Sequence, residues 1–217
     1  MVLRAVPIVL CLAGFAPAVF AQPKTSALQE KPPSQLAAAV ASLLQPNGIK
    51  AAVGDATLEI WWAQAIALNG DGPGWSTVDS GTLAGAIRVT GPFKEIRGKV
   101  VQPGVYTLRY GLQPQNGDHL GISTFRDYLV LSPAGVDTDP KVLGFEGVVA
   151  LSKQVIGTSH PAALSIDPPE DAPGALLSSY KNELGHDGIV VEVARSHGGK
   201  AAGTVKFGLI VSGLIVH

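Results

Sequence analysis

Between Val105 and Leu112 the chain alternates strictly: Tyr106, Leu108, Tyr110 and Leu112 fall on one side, Thr107, Arg109 and Gly111 on the other. A period of two places a core on one face of an extended strand, and no helix can satisfy it. The pattern recurs. In Thr57–Trp62, Leu58, Ile60 and Trp62 share a face and Thr57, Glu59 and Trp61 share the other. In Thr204–Val211, Val205, Phe207, Leu209 and Val211 point one way. Further short strands are expected over Thr82–Val89, Gly98–Val101, Asp127–Leu131, Ala162–Ile166 and Ile189–Ala194. Tight bends separate them: Asn69–Gly74, Gln102-Pro103-Gly104 with Gly104 at positive φ, Gln113–Asp118 and Ser132-Pro133.

The 217 residues include 26 Gly and 16 Pro, and only 15% are charged, which excludes a helical bundle or coiled coil. Apolar residues make up 46%, ample for a core, which excludes a disordered chain. The expected architecture is mainly β: an antiparallel β-sandwich, immunoglobulin-like or related, with one or two short helices. A closed barrel is the alternative. One helix is expected over Gln35–Leu44 with Ser34 as N-cap. A second is expected over Asp139–Ile156, with Asp139 as N-cap, Pro140 in the first turn and Gly157 as C-cap, packed over an open end or edge of the sheets.

Residues 1–21 carry one positive charge at Arg4, an apolar run over Ala5–Phe20, and Val19-Phe20-Ala21 as a cleavage site. They read as a secretory signal peptide. Residues 22–34 read as a flexible leader and 35–217 as a single β-sandwich domain. The expected location is therefore outside the cytoplasm, periplasmic or extracellular. The one cysteine, Cys11, lies in the signal and follows Leu10, which disfavours a lipid anchor. Without it the mature chain has no thiolate for metal, redox or nucleophilic chemistry. A net charge of −1 supplies no footprint for nucleic acid. No membrane span is expected in the mature chain, because the apolar C-terminal run to Val216 is too short.

The octapeptide Pro103-Gly104-Val105-Tyr106-Thr107-Leu108-Arg109-Tyr110 resembles the PG-x-Y-x-L strand opening of immunoglobulin-like, fibronectin-III-like and transthyretin-like sandwich modules. The resemblance implies a tyrosine corner, in which the Tyr106 hydroxyl ties back to upstream backbone. Tyr106 and Gly104 are then structural. The longer stretch Thr82–Pro133 is similar to uncharacterised exported bacterial proteins at Ile96-Arg97-Gly98, Leu112-Gln113-Pro114, Gly117-Asp118-His119-Leu120-Gly121 and Arg126-Asp127-Tyr128. It implies an exported β-domain and no mechanism.

Candidate chemistry is sparse. Asp118 and His119, in the densest polar loop, are a candidate divalent-metal or acid/base pair, with His160 and His186 as further ligands if the loops converge. The competing reading is an Asn-Gly turn with an Asx-type hydrogen bond and solvated loop histidines. No G-x-S-x-G, H-E-x-x-H or phosphate-loop motif is present. Two carboxylates for a hydrolase could be drawn from the 17 acidic residues, but nothing selects a pair. Trp61, Trp75 and Arg126 are candidate ligand-binding residues, Trp61 because alternation puts it on the Glu59 face. Its alternative is ordinary core. Arg97, Arg109 and Arg126 with Glu95, Asp118 and Asp127 supply both signs in one region, and a structural ion pair is expected of Arg109. The leading expectation is an exported, non-enzymatic binding or scaffold protein of the cell envelope, its partner a glycan, a protein or an envelope component, with no cofactor. A metal-binding protein or metal-assisted enzyme is the second reading, a carboxylate hydrolase the third.

Overall fold

The computed structural model describes residues 22–114, 125–157 and 160–213. Thirteen strands and two α-helices are described. The strands are β1 (Lys24–Leu28), β2 (Gly48–Val53), β3 (Ala56–Trp62), β4 (Ile66–Leu68), β5 (Leu83–Thr90), β6 (Phe93–Lys94), β7 (Val100–Val101), β8 (Gly104–Leu112), β9 (Asp127–Pro133), β10 (Ala162–Asp167), β11 (Ser179–Lys181), β12 (Asp187–His197) and β13 (Lys200–Ser212). The helices are α1 (Ala38–Ala41) and α2 (Gly144–Ile156).

The main sheet runs β1-β2-β3-β5-β8-β9-β10-β13-β12-β11. It folds over at β10. Ala162–Ser165 pair with β9, whereas Ile166 and Asp167 pair with β13. One strand thus leaves the first layer and enters the second. On the opposite side β3 runs on into β4, which pairs in parallel with Arg195–His197 of β12. The other pairings are antiparallel. The result is a β-sandwich, mainly antiparallel, with β6 and β7 forming a separate hairpin.

Alternation builds the core between the layers. Leu58, Ile60, Ile87, Leu108, Leu129, Leu131 and Leu164 from the first layer meet Ile189, Val191, Val193, Val205, Phe207 and Leu209 from the second. Trp62 crosses the interface edge-on to Phe207, with ring centroids 5.6 Å apart. Each fully buried aliphatic side chain here contributes about 1.5–3 kcal/mol.

The outer faces are covered too. Trp61 lies on the outer face of the first layer, among Leu28, Leu36, Val40, Leu44 and Leu83. Its indole Nε1 donates to the Glu30 carbonyl at 2.7 Å, and the Arg88 guanidinium stands 5.5 Å from the ring centroid. On the same face, Arg109 is fully buried and uses all five of its N–H donors. Nε and Nη2 grip the two oxygens of Asp137 at 2.6 and 2.7 Å; the remaining donors meet the carbonyls of Gly81, Lys141 and Asp139. The Thr107 hydroxyl donates to the same carboxylate. The expected structural ion pair of Arg109 is therefore present, with a partner the sequence did not single out.

Several boundaries differ from expectation. Residues 24–28, read as flexible leader, form β1 and pair residue by residue with β2. The polar composition hid this edge strand because backbone pairing holds it in place, with Leu28 its one buried side chain. The helix expected over Gln35–Leu44 is the four-residue α1, with Ala37 rather than Ser34 at its N-cap. The second helix begins at Gly144, not Asp139. Asp139 instead accepts the Lys141 N–H on its side chain and gives its carbonyl to Arg109, and Gly144 at φ +68 opens the helix. Gly157 caps it in the left-handed conformation, as expected. The tyrosine corner is present: the Tyr106 hydroxyl donates to the Gln102 carbonyl at 2.7 Å. Gly104, however, is not among the positive-φ glycines. Its role is close approach, since a Cβ there would stand 3.1 Å from the Tyr106 hydroxyl.

Candidate functional site

The outer face of the first layer, over β9 and β10, holds a cavity of about 310 Å³. Its floor comes from β9 and β10. Register places Gly111, Tyr128 and Ser165 in one cross-strand row, so their side chains share a face. Gly111 has no side chain, and the Tyr128 ring lies across it; a Cβ would stand 2.9 Å from the ring. Ala163, two residues from Ser165, is on the same face and adds only a methyl group. The short residues leave a depression beside the tyrosine.

One wall is α2. Its Val148, Ser152 and Val155 are buried toward the sheet. Phe145 and Val149, one helical turn apart, stand half-buried beside that stripe and line the cavity. The opposite wall is the β6–β7 turn, with Glu95, Ile96 and Arg97. Gln113, Pro114, Phe125, Asp127, His160 and Pro161 complete the lining. The surface is mainly aromatic and aliphatic, with a few polar groups, which is the usual make-up of a small-ligand pocket.

Most of those polar groups are already engaged. The Glu95 carboxylate is buried and accepts from Arg97 Nε at 2.8 Å and from the Lys99 N–H at 3.2 Å. Arg97 Nη2 donates to the Pro161 carbonyl at 2.5 Å, which ties the turn to the start of β10. Asp127 accepts the Tyr110 hydroxyl at 2.6 Å. Burial pushes the Tyr128 phenol up to about 12, with Arg97 pulling the other way. Burial and the neighbouring Asp127 carboxylate raise Tyr110 further. Both phenols stay protonated at neutral pH and do not act as bases, and Tyr110 donates to Asp127. The arrangement suits holding a ligand better than moving a proton.

The sequence candidates scatter. Trp61 is fully buried, because β1 and the segment around α1 cover the face that alternation left open, and it offers nothing to a ligand. Trp75 is buried as well, stacked on Tyr110 with centroids 5.3 Å apart and edge-on to Phe207 at 5.1 Å. Arg126 is half-buried beside the cavity, its Nε donating to the Gln113 carbonyl at 2.8 Å. His160 lines the cavity. His186 does not. It is buried in the β11–β12 turn, with its ring against Gly213. Asp118 and His119 lie outside the described residues. Among the described residues no group of three or more His, Cys, Asp and Glu is placed to hold a metal ion.

Sequence reasoning passed over Tyr128, Phe145, Val149 and Ala163. The α2 pair left a trace: the helical periodicity includes Phe145 and Val149 beside Val148, Ser152 and Val155, more apolar width than one sheet contact uses. Comparison with protein-family models, with curated proteins and with solved structures yields no match.

Proposed function

We propose that the chain is an exported, non-enzymatic binding protein, with the cavity beneath α2 as its binding site and a small, largely apolar molecule as its ligand. The observation that carries this reading is the apolar lining between α2 and the outer face of β9 and β10, formed by Tyr128, Phe145, Val149 and Ala163, with the carboxylates of Glu95 and Asp127 already hydrogen-bonded. The volume falls at the lower end of the ~300–1,000 Å³ typical of ligand pockets. Export rests on the signal-like residues 1–21. Placement in the envelope, periplasm or medium follows from export.

The test is titration of the mature chain with N-phenyl-1-naphthylamine, whose emission rises in apolar surroundings. Saturable binding at one site is expected, weakened at least about tenfold by Ala163→Leu, which fills the floor. Unchanged binding in that variant would place the site elsewhere. Elemental analysis of the same preparation separates this reading from the metal-centred one: a stoichiometric metal, lost on His119→Ala, would replace it.

A further inference from the structure

We infer that the cavity selects an uncharged ring compound bearing one carbonyl-type acceptor, with the acceptor on Arg97 and Tyr128 and the ring body against Phe125, Phe145 and Val149. The inference rests on the proposal that this cavity is a binding site, and it names the chemistry the site would take.

Arg97 spends Nε on Glu95 and one Nη2 hydrogen on Pro161. Its Nη1 hydrogens have no partner among the described residues, and neither does the Tyr128 hydroxyl. Both groups line the cavity. Arg97 opposes the rise that burial imposes on the Tyr128 phenol. Neither atom is shut off from solvent, and a ligand oxygen would take the place of water on them.

The sign of the surroundings then narrows the ligand. Arg97 is already neutralised by Glu95, and Asp127 adds a second carboxylate to the lining. A carboxylate ligand would gain Arg97 but face both acids. An ammonium ligand would face Arg97 and find both oxygens of Glu95 and one of Asp127 already accepting hydrogen bonds. In a partly desolvated cavity each of these oppositions is only weakly screened. A neutral acceptor meets the donors without either cost. A ketone, ester, lactone or amide oxygen fits, and the aromatic and aliphatic walls take the remainder.

The test is a matched series on the mature chain, read by calorimetry: 2-acetylnaphthalene, 2-ethylnaphthalene and 2-naphthoate. The first has the neutral acceptor, the second lacks it, the third carries a charge. The acetyl compound should bind about tenfold tighter than either of the others. Tyr128→Phe, which keeps the ring and removes the hydroxyl, should shrink the advantage over the ethyl compound. Equal affinity of acetyl and ethyl compounds, both weakened by Ala163→Leu, would overturn the inference while leaving the site in place. Tightest binding of the naphthoate would overturn it in favour of an anionic ligand. No binding of any probe, or binding indifferent to Ala163→Leu, would remove the site itself.

Discussion

Arg109 shows how a charge is buried without being stranded. Five donors meet five acceptors, and its Asp137 partner also receives the Thr107 hydroxyl. The Asp137→Ala variant leaves a buried guanidinium uncompensated and should lose about 3–5 kcal/mol, read as a drop in the urea midpoint. Asp167 behaves in the opposite sense. Burial raises its pKa above the ordinary 3.8, despite hydrogen bonds from Tyr180 and Asn182 that favour the charged form. The folded state therefore holds this proton more tightly than the unfolded chain. Stability from this residue is greatest below pH 3.8 and falls as pH rises through the raised value. The difference in unfolding free energy between the parent and Asp167→Asn should thus decline over that mildly acidic window and level off above it. A difference that rises with pH would contradict the burial assignment. Individual side chains of this kind were partly legible: Arg109 was expected to pair, but Asp137 lies 28 residues away and no local pattern joins the two.

At the scale of elements, alternation located the strands that carry the core. β3, β5, β8, β9, β10, β12 and β13 all coincide with expected strands to within a few residues at each end. Apart from the two-residue β6, the elements it missed share a cause. β1, β2, β4 and β11 lie at or near the sheet's margins and bury few side chains, so their sequences show little period-two contrast. β1 matters beyond its length, because Leu28 and the chain up to Leu44 roof Trp61. A mature chain beginning at Ser34 should expose that indole, shift its emission to longer wavelength and lose about 2–4 kcal/mol of stability. Unchanged emission would mean that the helical segment alone shields Trp61.

For the molecule as a whole, the outer face of β9 and β10 is left for other segments to cover. α2 and the β6–β7 turn close it only partly, and the cavity is the remainder. This site was not legible in the sequence, because it arises from five separate segments of the chain: 95–97, 113–114, 125–128, 145–149 and 160–165. The tryptophans, the most conspicuous candidates, turned out to be framework. Whether the cavity takes a ligand decides the matter. The most direct measurement is methyl and amide chemical-shift mapping of the mature chain titrated with N-phenyl-1-naphthylamine. Saturable shifts concentrated at Ile96, Val149, Ala163 and Tyr128 are predicted. Shifts absent throughout, or confined to exposed apolar residues elsewhere such as Leu43 and Val142, would contradict it.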